Sequence, residues 1–330
     1  MSAIRKRSSR FHYLRRVFAS YLTRDNSQLT FWHERPEVNA AAPLTRIGAY
    51  YQVFASKADY PGPFDDQGIP LLDYHGRIGR QYNPIAIAQY GLANYNRFLS
   101  TGNDERKARL LNVADWLATN LEQNRAGLWV WQHKFDWEYR DTLRAPWYSG
   151  LAQGQGISLL VRAAQETGDS AYIHAAERAF EPMLRDVDNG GVLFRDHNDD
   201  WWIEEYIVSP PTHILNGFLW ALWGIWDYYL ATQNSSARDL FNRCIGTIVR
   251  NLPRYDCGFW SLYEQSGTRM KMMASPFYHR LHICQLQATY AITGEETFHR
   301  YAERWQRYCD NSLHRHRALA YKSVFKLLYY

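Results

Sequence analysis

The chain has 330 residues, of which 46% are hydrophobic and 22% charged, with a formal net charge of +5. These proportions describe a globular protein large enough for one big domain. No run of eighteen uninterrupted apolar residues is present to span a bilayer, and no nucleic acid is expected as a partner.

Seven Arg and Lys residues fall within the first 24 positions, from Arg5 to Arg24, without an apolar core of signal-peptide type among them. This arm reads as a solvated or docked segment, with peripheral contact to anionic lipid or an acidic polymer as the alternative. Residues 1–80 carry turn-rich stretches such as Pro61-Gly62-Pro63 and Asp65-Asp66-Gln67-Gly68. They read as an irregular N-terminal extension packing on a domain that occupies 81–330.

From residue 81 onward the chain repeats itself. Thr101-Gly102-Asn103, Thr167-Gly168-Asp169, Thr232-Gln233-Asn234 and Thr293-Gly294-Glu295 recur at intervals of 61 to 66 residues. Each is a helix stop followed at once by a residue able to cap a second helix. Apolar segments precede the stops, at 85–99, 151–164, 214–230 and 281–292. Amphipathic ones follow, at 106–121, 171–184, 237–252 and 298–309. The pattern predicts four helical hairpins with apolar inner and amphipathic outer helices, an all-α α/α toroid with a cleft where the leading loops of the inner helices meet. Short β-hairpins, from 191–195 with 201–208 and from 259–264, are expected to rim that cleft.

The four cysteines, Cys244, Cys257, Cys284 and Cys309, lack metal-type spacing and read as reduced thiols, so a cytoplasmic location is the expectation. Aromatic content reaches 16%, with 13 Trp and 24 Tyr, residues that offer flat platforms to pyranose rings. Tyr82, Tyr148, Tyr206 and Tyr278 stand just before inner helices and should converge. In a strand, only one of Glu204 and Glu205 can face the cleft. His279 and His282 have no third ligand nearby, and Gly154 and Gly156 lie inside an apolar helix rather than a phosphate loop, so neither a metal nor a cofactor is expected.

The stretch from Trp147-Tyr148-Ser149-Gly150-Leu151 to Arg162-Ala163 resembles the catalytic domain of the D-glucuronyl C5-epimerases. Glu204-Glu205-Tyr206, Leu215-Asn216-Gly217-Phe218, Leu262-Tyr263, Tyr278-His279 with His282, and Pro84-Ile85 through Leu92 extend the likeness across about residues 80 to 312. That resemblance implies an α/α toroid and an isomerase that inverts C5 of glucuronosyl units in a polysaccharide such as heparosan. It implies Glu205, Tyr206, Tyr263 and Tyr278 as catalytic residues. Tyr148, Ser149 and Asn216 fall on substrate-contacting positions, and Tyr82, Gln89, Arg269, His279 and Arg280 are candidates for binding substrate. The chain departs from the family in lacking the β-sandwich of its animal members, in having Asn83 before Pro84, and in having Ser266 where an Arg stands.

Removing the C5 hydrogen of a uronate creates charge that spreads into the sugar carboxylate, so donors or cations must lie close to it. Arg269, Lys271 and Arg280 are the candidates. Inversion also needs a second proton donor on the opposite ring face, which assigns Glu205 to one side and Tyr278 to the other, with Tyr206 and Tyr263 assisting. Burial should raise the Glu205 pKa, and a cationic neighbour should lower that of a tyrosine. A uronate lyase using the same abstraction and an inactive carbohydrate-binding toroid are the alternatives; a homodimer is left open.

Overall fold

The computed structural model describes residues 31, 32 and 34–329, and the basic arm lies outside them. After a single helical turn at Ala55–Ala58, the chain forms inner helices α1 (Pro84–Thr101), α3 (Gly150–Thr167), α5 (Leu215–Thr232) and α7 (Pro276–Thr293). Each is followed by an outer helix: α2 (Asp104–Thr119), α4 (Ser170–Phe180), α6 (Ser235–Asn251) and α8 (Glu296–Asp310). A further helix, α9 (Ser312–Tyr329), lies beyond the fourfold pattern. Helix α1 packs on α3, α3 on α5 and α5 on α7, with each outer helix against its own inner one. The architecture is an α/α toroid.

The recurring threonine is the physical reason the repeat is so regular. Thr101, Thr167, Thr232 and Thr293 each donate from Oγ1 to the carbonyl four residues back, at 2.7–2.8 Å. Each also accepts from the N–H two residues ahead, at 3.1–3.3 Å, so one hydroxyl closes the inner helix and steers the chain out of it. The next residue takes left-handed backbone, free for Gly102, Gly168 and Gly294 and adopted at φ 57° by Gln233. Asn103, Asp169, Asn234 and Glu295 then cap the outer helices through side-chain oxygens.

Boundaries differ from expectation where local chemistry intervenes. Helix α7 starts at Pro276, with Ser275 as its cap, five residues before the apolar run that announces it. Helices α4 and α6 stop short of 184 and 252 because Pro182 and Pro253 convert the last turn to 3-10 helix. Helices α3 and α5 meet backbone to backbone: a Cβ on Gly224 would lie 2.1 Å from the carbonyl oxygen of Gly154. Glycine inside the apolar helix therefore serves close packing.

Among the described residues, four two-stranded antiparallel hairpins sit in the loops: β1–β2 (Leu72–Asp73, Arg80–Gln81), β3–β4 (Glu122–Gln123, Trp129–Val130), β5–β6 (Trp137–Glu138, Thr142–Leu143) and β7–β8 (Leu193–Arg195, Trp201–Ile203). At the other end of the toroid, residues 47–54 enter the core. Tyr50 N–H donates to Asn96 of α1 at 2.7 Å, Tyr51 O–H donates to Asp227 of α5 at 2.8 Å, and Arg162 of α3 donates to the Gly48 carbonyl at 2.8 Å.

Candidate active site

Strand β8 ends at Ile203, so Glu204, Glu205 and Tyr206 lie in the turn after it. The strand argument that only one of the two acids turns inward therefore does not apply, and both are buried, at 2% and 4% exposure. They are used differently. Glu204 accepts from the N–H of His213 at 3.2 Å and faces its Nδ1 at 2.5 Å, while the His213 ring stacks on Trp202 at 4.2 Å. This fixes the loop that leads into α5.

Glu205 turns towards the first turn of α5, where Asn216 donates to it at 3.4 Å. A Cβ on Gly217 would fall 2.1 Å from its carboxylate oxygen, so glycine leaves the space that the carboxyl occupies. Helix α5 has Ile214 at its N-terminal boundary and no side-chain cap, whereas Asn83, Ser149 and Ser275 cap the other inner helices.

Around this carboxyl stand three phenols. Tyr206 hydrogen-bonds to it. Tyr263, held by its N–H on the Met272 carbonyl at 2.8 Å, packs edge-on against Tyr278 at 4.8 Å and shares a hydrogen bond with it. Burial raises the Glu205 pKa to about 8, against the lowering effect of the Tyr206 bond and with help from Glu204. The same burial, then the nearby Glu205 charge, pushes Tyr206, Tyr263 and Tyr278 upward. The expected cation-driven lowering of a tyrosine is absent: the charge acting most strongly on these phenols is negative, so they are held as O–H donors.

The remaining expected residues are spread more widely. Ser149 Oγ is the cap of α3, accepting from Ala152 N–H at 3.4 Å. Tyr148 donates to the Gly190 carbonyl at 2.8 Å, and Gln89 pairs with Gln155 in the core at 2.9 Å. His279 Nδ1 accepts from the Ser261 N–H at 3.1 Å, its Nε2 donates to the Trp305 carbonyl at 3.1 Å, and its ring stacks on Trp260 at 3.8 Å. Burial holds this imidazole well below its ordinary pKa, so it is neutral and structural. Arg280 faces Cys309 on α8, and Arg269 and Lys271 are exposed. None of these cations is among the groups that act on Glu205. Tyr82 is 40% exposed and stacks on Trp116 at 5.4 Å.

Several residues of the site were not among the candidates drawn from the sequence. The β5–β6 hairpin lies over the phenols: Tyr139 packs on Tyr206 at 4.7 Å and donates to Glu264, while Trp137 hydrogen-bonds the Tyr206 hydroxyl. Burial lifts the Glu264 pKa to about 7, opposed by Ser266 and the charge of Lys322 from α9. Trp147 packs edge-on against Tyr206 at 5.7 Å and face-on against His133 at 3.8 Å; burial drives the His133 pKa down to about 3. Glu264 directly follows the Leu262-Tyr263 motif and Trp147 opens the Trp147–Ala163 stretch, but nothing in residues 134–144 marks a cover for a site formed 60 to 140 positions later.

Comparison with known proteins agrees with the likeness carried by the motifs. The profile of the family described as D-glucuronyl C5-epimerase C-terminus matches residues 123–307. A D-glucuronyl C5-epimerase of Caenorhabditis elegans is 28% identical over 219 residues, which cover 62% of this chain and 35% of that protein. An uncharacterized protein of Methanocaldococcus jannaschii is 26% identical over 291 residues, covering 82% of this chain and 92% of its own length. Among solved structures, the cellobiose 2-epimerase of Spirochaeta thermophila superposes at a TM-score of 0.47 with 12% identity, over 67% of this chain and 57% of that one. A D-mannose isomerase does so at 0.48 with 13% identity, over 89% and 84%. No helix among the described residues is long and apolar enough to cross a membrane. The chain belongs to the D-glucuronyl C5-epimerase C-terminal family, a family of carbohydrate epimerases.

Proposed function

We propose that this member of the family is a uronate C5-epimerase acting on a uronic-acid-containing polysaccharide. One observation carries the reading. A buried carboxyl, with its pKa lifted to about 8, shares one cluster with three phenols held in their protonated form. A base poised near neutrality beside proton donors is what exchange of a carbon-bound hydrogen requires.

In the forward direction Glu205, as carboxylate, takes the C5 proton, and the electron pair left on C5 spreads into the sugar carboxylate as an enolate. Phenols, rather than Arg269, Lys271 or Arg280, are the donors available to that developing charge, through Tyr206 and Tyr263. Tyr278 gives its proton to C5 from the other face, and the hydrogen bond it shares with Tyr263 stabilises the phenolate left behind. Solvent then returns a proton to Tyr278 and removes one from Glu205. For the sugar to reach Glu205 the β5–β6 hairpin must lift from Tyr206.

The test is deuterium incorporation at C5 of uronate polymers in heavy water, read by NMR together with chain length. We expect exchange without cleavage, and a loss of about a thousandfold in Glu205→Gln. Exchange at the wild-type rate in that variant would falsify the assignment. Chain cleavage with ultraviolet absorbance from an unsaturated uronate would make the protein a lyase.

A further inference from the structure

A second concave site lies on the flank of the toroid between the start of α1, the end of α2 and the β3–β4 hairpin. It encloses about 530 Å³, within the range of small-molecule sites. Tyr82 and Trp116 supply its aromatic surface, and Asp65, Asp66 and Glu122 its acids.

Its wall is built rather than accidental. Tyr82 is the most exposed aromatic ring among the large exposed hydrophobics, yet it is fixed twice, by stacking on Trp116 at an interplanar angle of 29° and by donating its hydroxyl to Asp65 at 2.6 Å. Asp65 is itself held, accepting from the N–H groups of Gln67 at 3.0 Å and Ile69 at 2.8 Å. An exposed ring normally keeps its rotational freedom; one already immobilised loses little entropy when a ligand packs on it. A fixed aromatic face bordered by carboxylates that accept from hydroxyls is the chemistry of a pyranose site.

Charge selects which pyranose. The one cation among the described residues lining the cavity, Lys134, is 2.5 Å from Glu122 and spent on it, so Asp65 and Asp66 leave the cavity negative. A uronate would be repelled here, whereas a neutral or amino sugar would not. A chain of contacts runs from the cavity wall to the cluster around Glu205: Tyr82 precedes Asn83, which donates to the Tyr74 hydroxyl at 2.7 Å, and Tyr74 packs on Trp137 at 5.6 Å, the residue bonded to Tyr206.

We infer that this cavity is a distal subsite for an uncharged or amino hexopyranose unit of the polymer, packed on Tyr82 while a uronate unit occupies the Glu205 cluster. The inference rests on the function proposed above, and its test is read without turnover. Methyl glucosaminide, its N-acetyl derivative and methyl glucuronide are titrated into the full protein while the tryptophan indole NMR signals are followed, with Trp116→Phe identifying one of them. We expect either uncharged or amino glycoside to shift the Trp116 signal, the free amine outperforming the N-acetyl sugar if charge contributes. Tyr82→Ala should weaken this binding by about tenfold, and Tyr82→Phe, which keeps the ring but loses the Asp65 bond, by less. The inference is overturned if neither glycoside shifts the Trp116 signal, if the glucuronide does so equally well, or if Tyr82→Ala binds as the wild type does. C5 exchange that persists in any of those cases leaves the catalytic reading standing; binding without exchange removes only the latter.

Discussion

Helix α5 carries a different chemistry at each end. Near its C-terminus Asp227 is fully buried and fully answered: Arg162 reaches one carboxylate oxygen at 2.6 Å and the other at 3.3 Å, and Tyr51 donates at 2.8 Å. Near its N-terminus, about 16 Å away along the axis, Glu205 is almost as deeply buried but meets phenols and a 3.4 Å contact from Asn216. Burying a charge is costly unless a counter-charge and hydrogen bonds offset it. Where they do, the carboxylate binds the fold together; where they do not, its proton becomes available near neutral pH. The lesson is that exposure alone does not separate a structural acid from a reactive one, while the partners do.

The largest test of that contrast is at the satisfied end. Asp227→Ala strands the Arg162 guanidinium in the core and should cost about 3–5 kcal/mol. Urea unfolding at constant slope measures it, and the double variant Arg162→Met, Asp227→Leu should recover most of the loss. A cost below about 1 kcal/mol would mean that the pair does not hold the toroid together.

At the unsatisfied end the sign reverses. The folded state raises the Glu205 pKa from 4.5 to about 8, so it favours the protonated form. The group costs nothing below its unfolded pKa, and stability is lost progressively as pH rises from there through about 8. Glu205→Gln should therefore match the wild type near pH 4 and exceed it near pH 9, by up to about 4–5 kcal/mol, in thermal melts across pH. Wild-type C5 exchange should rise over the same interval as the carboxylate forms. Equal melting curves for both proteins at every pH would erase the distinction between the two acids.

The smallest effect comes from a matched pair of hydroxyl deletions. Tyr51→Phe and Tyr139→Phe each remove one phenol donor from a buried carboxylate, Asp227 and Glu264 respectively. The first should lower global stability by about 1.5 kcal/mol. The second should cost less and act locally, speeding amide hydrogen exchange across residues 137–143 as the cover over Tyr206 loosens. Equal, global losses from both would show that the hairpin is as fixed as the core.

Of the candidate site, the residues legible in the sequence were those carried by contiguous motifs. Glu205, Tyr206, Tyr263 and Tyr278 stood out through family likeness, and the structure brings them into one cluster. Ser149, Gln89 and His279 shared those motifs but are occupied with capping, core pairing and a neutral hydrogen-bond relay. A motif records that a residue type is needed at a place; it does not record whether the need is chemical or architectural. Arg280 illustrates the same limit, since the two-residue step from Tyr278 carries it roughly 200° round α7, towards Cys309.

What the sequence determined by itself was the fourfold alternation of inner and outer helices. The threonine stops and polar caps act through hydrogen bonds two to four residues long, and such short-range chemistry is written wholly in neighbouring letters. Which acid would be paired, which phenols would share a carboxyl, and which hairpin would cover them was decided only in three dimensions. Those outcomes join residues as distant as Tyr51 and Asp227 or Tyr139 and Glu264. Their energies depend on how much water the surrounding helices remove, and no local pattern in the chain encodes that.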